Sequence, residues 1–270
     1  MSAAATLALV RAEPHVSFSA VSTYLKCPRS YEMRYVRRAP AETRPGSLVF
    51  GSAVHEALAT FYDALREGKA APGPEAMGDA FRASWARQLA GDVPVLFDEK
   101  DTAASVEDAG VRLLACFCAQ APPPHAVVDV EAPFAIEIAD PDTGEVLPER
   151  LVGVFDAVVR DPDGRHRILE HKTGARRWTE DRLAYDLQLT AYSLAAPVMG
   201  LGDAAVVVQL LLKTKAPALE RYEVARTERD RQDLRRVLVG VLTAVRAGAF
   251  YPVRDWHCRG CAFAGACVAG

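Results

Sequence analysis

A chain of 270 residues, half of them hydrophobic and a quarter charged, has the length and composition of a globular protein with a full-sized core. Its net charge of −3 gives no global signal for nucleic acid, and no run of about 18 apolar residues is present to span a bilayer. The apolar stretch Ala3–Val10 is too short for a secretory signal and ends in Arg11. A cytoplasmic protein is therefore expected, in which cysteines serve as ligands more often than as disulfides.

Residues 1–15 read as a flexible tail and 16–270 as one domain, with a helical region at about 16–121, an α/β core at about 125–250 and a cysteine-bearing tail at 251–267. Ser17 or Ser19 can cap a helix running through Val21, Tyr24 and Leu25 toward Tyr35. Val54, Leu58, Phe61, Tyr62 and Leu65 recur at helical spacing and predict a second helix over 48–66. After a Gly/Pro linker at 68–74, two more helices are expected near 75–90 and 102–120, and Pro122-Pro123-Pro124 ends the helical half. Strands follow at 127–138, 151–159 and 166–172, joined by Asp140–Gly144 and Asp161–Gly164 turns. A helix over 183–198, strands over 204–212 and 219–224, and a Thr227-capped helix to Ala247 complete an α/β fold. The chain has no Gly-x-x-x-x-Gly-Lys-Ser/Thr loop, so no ATP site is expected.

The sharpest local pattern is Gly153-Val-Phe-Asp156, the Asp161–Gly164 turn, and Ile168-Leu-Glu170-His-Lys172. Pro162 suits the first central position of a type I turn, and Gly164 the left-handed position that closes a three-residue hairpin loop. Paired residue numbers then sum to 326, which sets Asp156 opposite Glu170, with Lys172 on the same face. Two facing carboxylates repel, and a hard divalent cation resolves the repulsion; a Lys172 salt bridge at a sheet edge is the plainer alternative. Gln188 and Tyr192, four apart, share a face of the following helix. His55 lies on the second helix, within Gly51-Ser-Ala-Val-His55-Glu56.

Two further features stand out. Cys258, Cys261 and Cys267 form a C-x2-C-x5-C cluster near the C-terminus, and Cys27-Pro28 stands far upstream. Four thiolates would complete a tetrahedral zinc site or a [4Fe–4S] cluster, with His257 as an alternative fourth ligand. Residues 26–44 are locally basic, carrying Lys26, Arg29, Arg34, Arg37, Arg38 and Arg44 against Glu32 and Glu42. Such a run is either a solvated helix face or a phosphate track.

In this order the motifs resemble the RecB-like branch of the PD-(D/E)XK nuclease superfamily, in particular its iron–sulfur members, among them the C-terminal nuclease domain of the AddB helicase subunit and the CRISPR-associated adaptation nucleases. The resemblance spans Ser17 to Cys267. It implies a restriction-endonuclease-like core, a mixed central sheet flanked by helices, and metal-dependent hydrolysis of DNA, as an exonuclease on single strands or DNA ends in repair or recombination. His55, Asp156, Glu170 and the backbone carbonyl of His171 would bind Mg2+ or Mn2+. Lys172 would act on the attacking water and offset phosphate charge, and Gln188 and Tyr192 would position the strand or Lys172. Cys27, Cys258, Cys261 and Cys267 would hold a structural [4Fe–4S] cluster, with structural Zn2+ as the alternative. Lys26, Arg34, Arg37 and Arg38 would contact DNA phosphates, and Tyr24, Tyr31 or Tyr35 would stack on bases. A helicase or a recombination or CRISPR-adaptation protein would be the partner. The competing expectation is a non-cutting nucleic-acid-binding or scaffold module of such a complex.

Overall fold

The structure, a computed structural model, describes residues 11–269. Most of the tail expected at 1–15 lies outside the described residues. His15–Ser17, however, forms a short strand (β1) that pairs in parallel with Arg150–Val152. Ser17 then caps helix α1 (Phe18–Lys26), its side chain accepting the N–H of Ala20. The continuous helix expected toward Tyr35 breaks at Cys27, which is extended because it precedes Pro28. The chain resumes as one turn, α2 (Pro28–Tyr31), and a π-helical turn over Glu32–Val36.

The helical region matches its sequence signals more closely. Helices α3 (Gly46–Arg66), α4 (Pro74–Leu89) and α5 (Ala103–Gln120) follow, the last capped reciprocally by Thr102 and Ser105. Two two-residue strands, β2 (Arg44–Pro45) and β3 (Val95–Leu96), clip the start of α3 to the segment after α4.

Strands β4 (Ala126–Ala139), β5 (Val146–Arg160), β6 (His166–Gly174), β7 (Ala205–Leu212) and β8 (Ala218–Val224) build a mixed sheet with β1. The long β5 pairs with β4 along one edge; its other edge takes β1 in its first half and β6 in its second. Strands β6 and β7 run parallel, as a crossover through helices requires. The crossover helix expected over 183–198 is two helices, α6 (Glu180–Tyr185) and α7 (Leu187–Val198). Asp186 separates them because its carboxylate caps α7 by accepting the N–H groups of Gln188 and Leu189. Helix α8 (Glu228–Arg246) carries the expected Thr227 cap, and Leu234, Leu238, Val241 and Leu242 are buried beneath it.

The sheet separates two apolar cores. Residues from α1, α7 and α8 cover one face, against Phe134, Leu151, Phe155 and Ile168; α3, α4 and α5 cover the other, against Ala157, Val159, Leu169 and Val207. A regular strand sends every second residue to one face. Two strands break this rule side by side. Phe155 and Ala157 pack on opposite cores, as do Val130 and Ala132. The residues at the two reversals are Asp156 and Glu131, which the flanking register sets opposite each other.

Candidate active site

The site assembles where β5 and β6 part. Gly164, with φ +87°, closes the hairpin loop: Asp161 N–H donates to Arg165 O at 2.9 Å and Gly164 N–H to Asp161 O at 3.0 Å. The expected register holds along Val159↔Arg167, Val158↔Ile168 and Ala157↔Leu169, and the ladder then stops. One step further, the Asp156 carboxylate takes up the released backbone group, accepting the N–H of His171 on Oδ2 at 2.6 Å. Its Oδ1 lies 3.3 Å from Nδ1 of His55, which α3 projects from across the cleft.

Glu170 and Lys172 share the opposite face of β6. Glu170 is 1% exposed and forms an ion pair with Lys172, whose Nζ also donates to Gln188 Oε1 at 2.8 Å. The relay continues through α7: Gln188 Nε2 donates to the Tyr192 hydroxyl at 3.0 Å, and that hydroxyl donates to Val154 O at 2.8 Å. Gln188 and Tyr192 thus orient the lysine from one helix face. His171 points the other way, its ring stacked on Tyr62 with centroids 5.3 Å apart.

The structure groups these residues differently from the expected metal set. Among the described residues, the three ligating side chains whose donor atoms all lie within 4.8 Å of one another are His55, Glu131 and Asp156. Glu170 stays with Lys172 and does not join that trio. Glu131 carries no motif in the sequence, since nothing in Val-Glu-Ala announces a reversal of strand alternation. The cleft beside these groups, about 760 Å³, is lined by Ser47, Leu48, His55, Glu131, Asp156 and Lys172.

Electrostatics of the site reflect crowded anions. Burial pushes the Glu170 carboxyl upward, and Asp156 pushes it the same way. Burial works against ionised Asp156 too, but His55 and the His171 N–H outweigh it and hold that carboxyl below its ordinary range. Burial would lower the His55 pKa, yet Asp156 and Glu170 raise it to about 9. Lys172 is likewise raised against its own burial by Glu170, so it stays a cation. His171 is buried and pushed down to about 4, so its ring is neutral. Glu170 Oε2 is buried without a hydrogen-bond partner. The two carboxylates and the imidazole of His55, Glu131 and Asp156 are a donor set that suits a hard divalent cation.

The cysteines meet at a second place. Cys27, Cys258, Cys261 and Cys267 line one cavity of about 380 Å³, together with Lys26 and Arg34. Among the described residues, no three of these sulfurs lie mutually within 4.8 Å. The tail is pinned there by protein contacts as well. Arg29 N–H donates to Tyr251 O at 3.1 Å, and Glu42 accepts the N–H groups of Gly265 and Ala266 at the start of helix α9 (Ala264–Ala269). A nitrogen of the His257 ring lies 3.1 Å from Val253 O.

The basic segment does not offer all the contacts expected of it. Tyr24 is 6% exposed and its hydroxyl donates to Ala249 O, and Tyr31 is buried beside it, so neither ring is open to stack on a base. Arg37 bonds to the buried Glu32 carboxylate, which Arg29 also holds at 2.7 Å. Lys26 lies over the Trp256 ring and Arg34 over Phe263, both in the C-terminal tail. Arg38 is exposed.

The sequence profile of the PD-(D/E)XK nuclease superfamily matches residues 15–268. The chain belongs to this superfamily. The mixed sheet flanked by helices is the restriction-endonuclease-like fold of PD-(D/E)XK nucleases. Among solved structures, the chain is similar to a candidate exonuclease from Eubacterium rectale, at 14% identity and a TM-score of 0.53 over 89% of this chain and 84% of that one. It is also similar to SSO0001, at 15% identity and a TM-score of 0.41 over 84% of this chain and 86% of that one. No curated protein matches it. The superfamily span contains both clusters, from His55 to Lys172 and from Cys27 to Cys267. No helix among the described residues is long and apolar enough to cross a membrane.

Proposed function

We propose that this PD-(D/E)XK protein is a DNA nuclease dependent on Mg2+ or Mn2+, working as an exonuclease on single strands or DNA ends. The observation that carries the reading is the Lys172 ammonium, held between Glu170 and Gln188 beside the Asp156–His55 pair in an open cleft. His55, Asp156 and the His171 carbonyl, with Glu170 if it is released from Lys172, would hold the ion, which would supply Lewis acidity to the scissile phosphodiester. The His171 N–H anchors the Asp156 carboxylate, which would place it for ligation with little reorganisation. Lys172 remains protonated and offsets charge that develops on the phosphate. Gln188, backed by Tyr192, fixes the ammonium's direction. Attack by water would form a new P–O bond in line as the bond to the leaving oxygen breaks, with the water's proton lost to solvent and the leaving oxygen protonated from solvent, and with no covalent enzyme intermediate.

Exonuclease action agrees with the candidate exonuclease among the fold's neighbours, and a role in repair or recombination follows from the RecB-like motif order. Cys27, Cys258, Cys261 and Cys267, which line one cavity, would hold a structural [4Fe–4S] cluster, with structural Zn2+ as the alternative. The test of substrate is incubation of end-labelled single-stranded DNA, duplex DNA and RNA with Mn2+ or with EDTA. Metal-dependent shortening of DNA from its ends supports the reading; cleavage of RNA alone would overturn the substrate.

A further inference from the structure

We propose that Glu131 is a metal ligand of this nuclease, holding a divalent cation with His55 and Asp156 on the cleft side of the site. The proposal deepens the nuclease reading and rests on it. Its basis is the geometry of β4. The pairs Val130↔Ala157 and Ala132↔Phe155 flank Glu131 and Asp156, and the ladder skips the two acids themselves. Glu131 has φ +50°, a left-handed conformation rare for a residue with a long side chain. Such a residue inside a strand is strained, at about 1–3 kcal/mol, and persists where the surroundings impose it.

The strain has a visible product. Because the chain turns over at Glu131, Val130 reaches the α3 core and Ala132 the α7 core, and both are buried. The glutamate between them is left in the cleft with His55 and Asp156, their donor atoms within 4.8 Å of one another. Glu131 has no ion-pair partner among the described residues, whereas Glu170 has Lys172. Two carboxylates so close repel, and His55 forms its ion pair with Asp156 rather than with Glu131. On the Lys172 side of β6, the buried Glu170 Oε2 also lacks a partner. An imidazole and two carboxylates from α3, β4 and β5 form an open three-ligand face, the kind that leaves further positions for water and phosphate.

Mn2+ binding to the whole folded chain tests this, read by calorimetry and by the spin-resonance signal of bound Mn2+, with thermal melting as a fold control. Glu131→Gln removes the charge; Glu131→Asn does so too, with a residue that tolerates the left-handed backbone. Asp156→Asn reports on the nuclease site itself. The expected result is Mn2+ affinity lower by about tenfold or more in both Glu131 variants, unchanged or higher melting temperature without metal, and lost binding in Asp156→Asn. Wild-type affinity in the Glu131 variants with loss in Asp156→Asn overturns the Glu131 assignment and leaves the nuclease reading standing. Wild-type affinity in all three overturns both.

Discussion

The carboxylate of Asp156 accepts the backbone N–H of His171 at 2.6 Å. The bond forms at the point where the β5–β6 ladder ends, so a side-chain carboxylate closes a sheet position that backbone pairing leaves open. Asparagine keeps an acceptor there and alanine does not. Asp156→Ala is therefore expected to be less stable than Asp156→Asn by about 1–3 kcal/mol, because the buried N–H loses its partner. Denaturant melts of the two variants check this, and equal midpoints would contradict it.

His55 sets a pH dependence. Asp156 and Glu170 raise its pKa from 6.5 to about 9 despite burial, so the metal-free imidazole carries a proton at neutral pH. The pair it forms with Asp156 stabilises the metal-free fold fully below pH 6.5, and that contribution is lost as pH rises through about 9. A cation that takes the imidazole as ligand must displace the proton. Mn2+ affinity is expected to climb between pH 6.5 and 9, with about one proton released per ion in calorimetry run in buffers of different ionisation heat. A flat profile across that window would remove His55 from the ligand set.

The relay from Lys172 through Gln188 and Tyr192 to Val154 O predicts graded effects. Tyr192→Phe deletes a buried hydroxyl and leaves Val154 O unpaired, which is expected to lower stability by about 1–2 kcal/mol. Gln188→Ala touches a half-buried residue and should leave stability nearly unchanged while kcat falls more than KM rises. Loss of substrate affinity with kcat intact would mean that Gln188 contacts the strand rather than the lysine.

The cysteine cavity gives a spectroscopic prediction. Protein prepared without oxygen should be brown with visible absorbance, and Cys258→Ser should bleach it; a colourless, zinc-loaded protein would contradict the cluster. Because Glu42 and the Arg29 N–H also hold the tail, removing the cluster should fray residues 251–269 before the sheet melts. Limited proteolysis that cuts the tail first would show this.

Much of the site is legible in the sequence where local rules operate alone. Pro162 and Gly164 fix one turn geometry, and that turn fixes the register from Arg160↔His166 to Ala157↔Leu169, which ends one step short of Asp156 and Glu170. Helical spacing puts Gln188 and Tyr192 on one helix face, and the apolar stripe of α3 puts His55 on a helix, but their roles come from the family resemblance. Glu131 was hidden because a left-handed residue that is neither glycine nor asparagine leaves no sequence mark, and one such residue inverts the alternation by which strands are read. Tyr24 and Tyr31 are core for a reason of the converse kind: an aromatic in a basic segment reads as a surface platform, and only tertiary packing against Ala249 and Phe250 buries it. The division of the 183–198 helix at Asp186 depends on a cap competing with helix continuation, a contest that periodicity does not decide.

The most direct test compares wild-type protein with Lys172→Ala on end-labelled DNA in Mn2+, with Mn2+ affinity measured on both. Wild type should cut and the variant should fold and bind Mn2+ but lose cleavage by about 100-fold or more, as removal of a preorganised charge from a transition state requires. Cleavage that survives in Lys172→Ala, or a folded, metal-loaded wild type that never cuts, would contradict the nuclease assignment of this site.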